Sequence, residues 1–131
     1  MVGRDNEISN YKDLAKCIED YEDAPKIWNN PGALRWSPFM SYQKGGFARF
    51  NTYAEGFEAL LHQLYIVCNG KSPTYNRAAK KLGLKDCSEL TLLQFFEIYA
   101  PSSDKNNPRR YTETVAQELE ITIETKMKDF I

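Results

Sequence analysis

The chain has 131 residues, of which 42% are hydrophobic and 13% aromatic, and its 17 basic and 18 acidic side chains leave a formal net charge of -1. This length and composition indicate one folded domain, residues 1–131, with one core. The near-neutral charge excludes a strongly basic surface, so we expect no nucleic-acid partner. No stretch approaches the roughly 18 apolar residues of a membrane span, so we expect no membrane insertion.

The cysteines and the start of the chain bear on cofactors and location. Cys17, Cys68 and Cys87 lie far apart and form no metal-binding spacing, so we expect free thiols, no metal site and no cofactor. The first ten residues, MVGRDNEISN, lack the apolar stretch of a secretory leader. We therefore expect a protein that is made in the cytoplasm without a signal peptide.

A first helix is predicted over residues 11–23, where apolar side chains recur at spacings of three and four. Ser9 or Asn10 can cap its start, and Pro25 makes its continuation costly. Glu22 therefore falls in or near the last turn, at the edge of the apolar face. This position holds one acidic side chain beside the core.

Irregular structure is predicted next, because proline and glycine recur through residues 25–46. Within this segment Asn30, Pro31 and Gly32 form a turn signal, since proline fixes φ and glycine permits a positive φ. We expect a short β-hairpin near residues 40–50.

Helices are predicted in the rest of the chain. The clearest is a buried central helix over Tyr53–Cys68, where Thr52 and Glu55 have the spacing of a capping box. The same spacing recurs at Thr91 and Gln94. Further helices are expected at residues 73–82, at 92–100 and from Pro108 onward, and the tail to residue 131 is left unassigned. The predicted fold class is therefore mainly α, with five or six helices and at most a short hairpin.

Glu22 is the candidate for acid chemistry. A carboxylic acid at the edge of apolar and aromatic surface has its charged form disfavoured, which raises its pKa toward the range of a general acid. Glu19, on the polar side of the same helix, lacks this environment. A single glutamate near a helix end is also a common surface or capping group.

Aromatic and amide side chains gather after the first helix. Trp28, Trp36 and Tyr42 can stack on the apolar faces of sugars. Asn29 and Asn30 can bond hydroxyl and N-acetyl groups, so together these residues are typical of a sugar-binding cleft. The alternative is that the tryptophans fill the core and the asparagines form turns.

Three separated stretches of the sequence resemble one known family. They read IEDYEDAPKIWNNPGALRW, GGFARFNTYAEGFEALLHQL and TLLQFFEIYAPSSDKNNPRRYTETVAQELEI, and together they span residues 18–121. Their order is similar to that of a lysozyme-like family of phage and prophage cell-wall proteins. The pattern of that family has an acid followed by Gly, then NNPGNL, FxxF and a late YAPxxDxN block.

The resemblance extends to individual positions. The matching residues are Asn29, Asn30, Pro31 and Gly32 in the first stretch, Phe47 and Phe50 in the second, and Tyr99, Ala100, Pro101, Asp104, Tyr111 and either Asn106 or Asn107 in the third. The chain departs from the pattern at Asp23, where the family has Gly, and at Ala33, where it has Asn.

The resemblance implies a lysozyme-like fold and cleavage of the glycan strand of peptidoglycan, with Glu22 as the proton donor at the end of the first helix. Substrate contacts are then expected from Trp28, Asn29, Asn30, Trp36, Phe47, Glu55, Tyr99, Asp104 and Tyr111, and structural roles from Pro31, Gly32 and Pro101. Hydrolysis, as by a muramidase, and lytic transglycosylation both stay open, because no second acid is evident. Glu55 is the rival acid, although its capping box with Thr52 accounts for it structurally.

Two alternatives to an enzyme remain. The first is a non-catalytic virion structural or peptidoglycan-binding protein, which the departures at Asp23 and Ala33 favour. The second is an intracellular interaction domain that uses Trp28 and Trp36 as contact residues. An enzyme or binding protein of the resembled kind acts at the bacterial cell wall or within a virion, with a holin or virion components as partners.

Overall fold

The computed structural model describes residues 10–131 and has a mainly helical fold. In this part of the chain the five α-helices are α1 (Tyr11–Glu22), α2 (Tyr53–Cys68), α3 (Pro73–Lys81), α4 (Leu92–Tyr99) and α5 (Pro108–Leu119). The two strands β1 (Tyr42–Lys44) and β2 (Phe47–Arg49) form an antiparallel hairpin. No helix among these residues is both long and apolar enough to cross a membrane. The predicted mainly α class with a short hairpin is confirmed.

Local side-chain caps fix where the helices begin. Capping boxes start three of them, formed by Asn10 with Asp13 for α1, by Thr52 with Glu55 for α2 and by Thr91 with Gln94 for α4. In each box the cap side chain accepts a hydrogen bond from the first turn, and the partner side chain accepts one from the backbone of the cap. The boxes predicted at Thr52 and Thr91 are confirmed. Asn10 caps α1, and Ser9, the other predicted cap, lies outside the described residues.

The core forms where α1 packs against α2 and α5, and α4 packs against α5. Leu60 and Leu64 of α2 are fully buried, as are Leu14 and Ile18 of α1. The same face of α1 ends one turn later at Glu22, which lies at the edge of this core. The apolar periodicity of the sequence therefore determines which side of α1 carries the acid.

The C-terminal tail, which the sequence left unassigned, packs as part of the core. A short 3-10 helix, Met127–Phe130, contacts α2, and both of its end residues are fully buried. Thr91 and Lys126 form an isolated antiparallel bridge just before it. The tail thereby holds the start of α4 in place.

The hairpin packs against α2 through a second, smaller cluster. Gly45 and Gly46 lie between the strands with φ of 61° and 83°, the conformation that a two-residue hairpin turn favours. The buried members of the cluster are Leu34, Ala48, Phe50 and Ala59. Since Ala59 belongs to α2, the hairpin is fixed to that helix.

Residues 29–32, the NNPG corner, approach α2 very closely at Gly56. A Cβ on Gly56 would lie 1.7 Å from the carbonyl oxygen of Asn29 and 2.8 Å from its carbonyl carbon. Backbone atoms cannot move aside as a flexible side chain can, so the contact admits only glycine. Glycine inside a helix costs about 1 kcal/mol relative to alanine, a cost that this close approach offsets.

Gly56→Ala is expected to lower the free energy of unfolding by about 2 kcal/mol or more, because the NNPG corner must shift to admit the methyl group. Thermal and chemical unfolding measure this loss. Gly83→Ala is the control, since its Cβ would meet no atom within 4 Å although its φ is 81°. That variant should cost only about 1 kcal/mol through backbone strain. Equal losses in the two variants would contradict the close approach at Gly56.

Candidate functional site

A cleft of about 650 Å3, the Glu22 cleft, lies between the end of α1, the hairpin region and the connection from α4 to α5. The predicted site residues that line it are Glu22, Trp28, Trp36, Phe47, Tyr99, Pro101 and Asp104. Asn29, Asn30, Glu55 and Tyr111, which were predicted with them, are outside this lining. The structure therefore brings together residues from all three resembled stretches.

Glu22 is the last residue of α1, and the backbone changes direction immediately after it. Asp23 adopts a left-handed conformation with φ and ψ of 46°, while its N–H still donates to the Glu19 carbonyl. Pro25 follows and has no N–H for another helical turn. The predicted position of Glu22 in the last turn is confirmed, and its side chain lines the cleft.

The Glu22 carboxyl is partly buried and hydrogen-bonded to a tyrosine. The Tyr111 hydroxyl donates to Glu22 Oε2 at 2.8 Å. Burial raises the pKa of Glu22 above its ordinary value, and the hydrogen bond from Tyr111 opposes this rise because it stabilises the carboxylate. Burial is the larger effect, so the protonated form of Glu22 is favoured relative to an exposed glutamate.

Tyr111 is held in place by packing. Its side chain is only 1% exposed, and its ring stacks on Tyr21 and Phe96 with centroid distances of 3.8 Å and 4.3 Å. Tyr111 was expected to contact substrate. The structure instead buries it beside Glu22, where its hydroxyl positions the carboxyl group.

The NNPG corner uses its amides for backbone contacts. Asn30 is 1% exposed, and its Nδ2 donates to the carbonyls of Leu34 and Ala48 at 2.8 Å and 2.9 Å. Its Oδ1 accepts from the Leu34 N–H at 3.0 Å. Asn29 donates likewise to two backbone carbonyls at the end of the hairpin, at 3.0 Å and 3.2 Å. Both asparagines therefore join the corner to the hairpin, and neither lines the Glu22 cleft, where sugar contacts were expected from them.

Gly32 is needed for close packing. Its φ lies outside the left-handed region, and the positive φ falls instead on Ala33, at 50°. A Cβ on Gly32 would lie 2.8 Å from the Leu60 side chain and 2.9 Å from the Tyr99 hydroxyl. That hydroxyl donates a hydrogen bond to the Gly32 carbonyl. Gly32 therefore does not use the positive φ that glycine permits, and the close approach of Tyr99 and Leu60 is the reason for a glycine.

Aromatic rings and guanidinium groups form one wall of the cleft region. The Trp28 and Phe47 rings stack with a centroid distance of 4.7 Å. The guanidinium of Arg49 lies 4.8 Å from the Trp28 ring, and that of Arg35 lies 4.7 Å from the Phe47 ring. Trp36 is 61% exposed, which leaves much of its ring free for contact. Such rings can bind the apolar faces of sugars.

Arg35 is a cleft residue that the sequence did not predict. Its Nη2 lies 3.2 Å from Oδ2 of Asp104, so the pair links the segment after the NNPG corner to the connection between α4 and α5. Asp104 ends a short 3-10 helix, Ser102–Asp104, that begins after Pro101. The two partners are 69 positions apart, and no local spacing indicates such a pair.

Glu55 lies outside the Glu22 cleft. Its Oε1 accepts hydrogen bonds from the Thr52 N–H and hydroxyl, both at 3.1 Å. It lines a second depression together with Tyr11 and Tyr65. The capping role predicted for Glu55 is confirmed, and its side chain lies apart from the predicted substrate contacts that line the Glu22 cleft.

Glu22→Gln is expected to raise the free energy of unfolding at neutral pH. The folded state raises the pKa of Glu22 above its value in the unfolded chain. Protonated Glu22 therefore contributes its full stability at pH values below the unfolded pKa. That stability is lost as pH rises through the folded pKa, because the buried group must then ionise. Glutamine removes the ionisation and keeps an acceptor for the Tyr111 hydroxyl. Unfolding measured from pH 3 to pH 8 should show a difference that grows with pH. A variant less stable than the wild type at pH 7 would contradict the burial effect.

No family model, curated protein or solved structure matches the chain. Within residues 10–131, no three His, Cys, Asp or Glu side chains come together as a metal site would require. The features that bear on function are the Glu22 carboxyl, its bond to Tyr111 and the walls of the cleft.

Proposed function

We propose that this protein cleaves the glycan strand of peptidoglycan, with Glu22 as the general acid. The observation that carries the proposal is a partly buried carboxyl in the wall of a cleft, with its pKa raised by burial. Such an acid keeps its proton closer to neutral pH than an exposed glutamate does. The resemblance of residues 18–121 to lysozyme-like cell-wall proteins supports the same substrate class.

In this proposal Glu22 donates its proton to the glycosidic oxygen between N-acetylmuramic acid and N-acetylglucosamine as the C–O bond breaks. With a single acid, the resulting carboxylate accepts the proton of the muramoyl 6-hydroxyl as that oxygen attacks, which is lytic transglycosylation. Hydrolysis instead uses water and a second carboxylate, roughly 5 to 10 Å away. Asp23 and Asp104 are the other carboxylates that line the cleft within residues 10–131.

The cleft walls suit a sugar polymer. Trp28, Phe47 and Trp36 offer aromatic surface, which binds the apolar faces of pyranose rings. The buried bonds of Asn30 hold the backbone behind this surface in one conformation. A wall fixed in this way loses little conformational entropy when a sugar binds, which favours affinity.

A non-catalytic peptidoglycan-binding or virion structural protein is the second candidate. The observation that favours it is the positive φ of Ala33, 50°, where the resembled family has Asn. A left-handed alanine costs about 1–2 kcal/mol, and its side chain makes no hydrogen bond in return. In either role we expect the protein to act at the bacterial cell wall or within a virion, with a holin or virion components giving access.

Glu22→Gln is expected to lower glycan cleavage by roughly 100-fold or more, because it removes the transferable proton while folding and glycan binding survive. Mass spectrometry of purified peptidoglycan digested with each variant measures this effect. Reducing ends would indicate hydrolysis, and 1,6-anhydro ends would indicate transglycosylation. Intact glycan with wild-type protein that still binds the strands would support the non-catalytic role.

Two variants serve as controls for this loss. Glu19 lies one turn earlier on α1, outside the Glu22 cleft, and accepts a hydrogen bond from the Tyr53 hydroxyl. Glu19→Gln keeps that acceptor and should cut glycan at nearly the wild-type rate. If Glu22→Gln retains activity while Glu55→Gln abolishes it without unfolding, Glu22 is not the acid.

Tyr111→Phe is expected to move the alkaline limb of the pH–activity profile to higher pH. The Tyr111 hydroxyl lowers the pKa of Glu22, so its removal raises that pKa further and keeps the acid protonated over a wider range. The pH dependence of kcat/KM for soluble glycan strands measures the shift. Tyr99→Phe is the control, because the Tyr99 hydroxyl donates to the Gly32 carbonyl and should leave the limb in place. A limb that moves to lower pH in Tyr111→Phe would contradict the assignment.

A further inference from the structure

Arg35 is the one arginine or lysine that lines the Glu22 cleft within the part of the chain that the structure describes. Its guanidinium lies 4.7 Å from the Phe47 ring centroid, and its Nη1 donates to the Gly46 carbonyl at 3.3 Å. An aromatic face and a backbone acceptor thus hold the guanidinium on the wall. The positive charge is therefore fixed in position beside the aromatic surface of the cleft.

A carboxylate already meets this guanidinium. Asp104 Oδ2 lies 3.2 Å from Arg35 Nη2, in a pair whose side chains are 55% and 41% exposed. Solvent screens an exposed pair of this kind, so the pair contributes little to stability. A carboxylate from a ligand can therefore replace Asp104 at low cost, whereas a buried pair would not exchange in this way.

We infer that Arg35 binds a carboxylate of the substrate and that Asp104 competes for the same guanidinium. A guanidinium matches the geometry of a carboxylate and has five N–H donors, of which Gly46 and Asp104 engage two. The inference rests on the proposed function, because it names the substrate class of the same cleft. That class is an acidic, muramoyl-containing glycan, as opposed to a neutral polymer of N-acetylglucosamine.

The other charges of the cleft make this position selective. Asp23 and Asp104 also line it, so an acidic strand meets attraction at Arg35 and repulsion at these two carboxylates. The single positive charge of Arg35 then determines which sugar of the glycan strand lies beside Glu22. Two sources supply a suitable group: the lactyl carboxylate of a muramoyl residue without its stem peptide, and a carboxylate of the stem peptide itself.

The test measures glycan binding by titration calorimetry in Glu22→Gln protein, which leaves the strands intact. Three soluble glycan strands of equal length are compared. The first carries stem peptides, and the second has no peptides and carries free lactyl carboxylates. The third is identical to the second except that its lactyl carboxylates are converted to amides. Arg35→Gln is expected to weaken binding of a carboxylate-bearing strand by roughly ten-fold and to leave the amidated strand unaffected. Asp104→Asn should tighten the same binding by about two- to five-fold, because the competitor is removed.

Arg109→Gln is the matched control. Arg109 forms a similar exposed ion pair, 3.3 Å from Glu113 on α5, and lies outside the cleft lining. This variant should bind all three strands as its parent does. Arg35→Lys keeps the charge without the planar fork and should retain part of the preference, so it also serves if Arg35→Gln fails to fold.

The outcomes separate this inference from the proposed function. Equal affinity of the parent for amidated and carboxylate-bearing strands, or equal weakening of both by Arg35→Gln, would overturn the inference. If the wild-type protein cleaves glycan but binds amidated and carboxylate-bearing strands equally, the proposed function stands and the inference fails. If binding depends on the carboxylate but no glycan is cleaved, the inference stands and the proposed cleavage fails. Failure to bind any strand would overturn both. The strand that responds to Arg35→Gln identifies the lactyl or the peptide carboxylate as the ligand.

Discussion

The packing of the NNPG corner against α2 is the constraint on which the site depends. The Asn29 carbonyl meets Gly56 at a distance that no Cβ would allow, and Gly32 meets the Tyr99 hydroxyl in a similar way. Asn30 then makes three buried hydrogen bonds, two with the Leu34 backbone and one that joins the corner to Ala48 of the hairpin. Because a buried amide left unpaired would be costly, these bonds favour one backbone path over nearby alternatives. The aromatic wall of the cleft is built on that path.

Two opposing effects act on the charged form of Glu22: burial disfavours it, and the hydrogen bond from Tyr111 favours it. Burial raises its pKa and the Tyr111 hydroxyl lowers it, so its titration depends on a residue 89 positions away. Tyr111 is itself packed against Tyr21 of α1 and Phe96 of α4. The carboxyl therefore acquires its environment only when α1, α4 and α5 are all packed together. A charge-bearing group placed at such a cost is typical of sites where function opposes stability.

Local signals predicted the helices well, and long-range contacts limited the prediction of the site. The caps at Thr52 and Thr91 could be predicted because each partner lies three residues away. The place of Glu22 followed from helical periodicity and a nearby proline. Its bond to Tyr111 could not be predicted, because no spacing encodes a contact between distant helices. Gly32 shows a different limit: the residue type indicates a restriction but does not distinguish a positive φ from a close approach.

The two left-handed residues near the site differ in what they imply. Aspartate tolerates this conformation better than alanine does, since its short polar side chain can bond locally. Asp23 keeps the N–H bond to the Glu19 carbonyl that ends α1, so a helical hydrogen bond closes the left-handed conformation beside Glu22. The Ala33 side chain has no polar group that could bond locally and offset the strain of the left-handed conformation. Its backbone N–H donates to the Asn30 carbonyl at 3.1 Å and closes the turn of the NNPG corner. The strain therefore lies in the cleft wall rather than beside the acid. The conformation of Asp23 is compatible with the proposed proton transfer, and the structural argument for the alternative, non-catalytic role rests on Ala33.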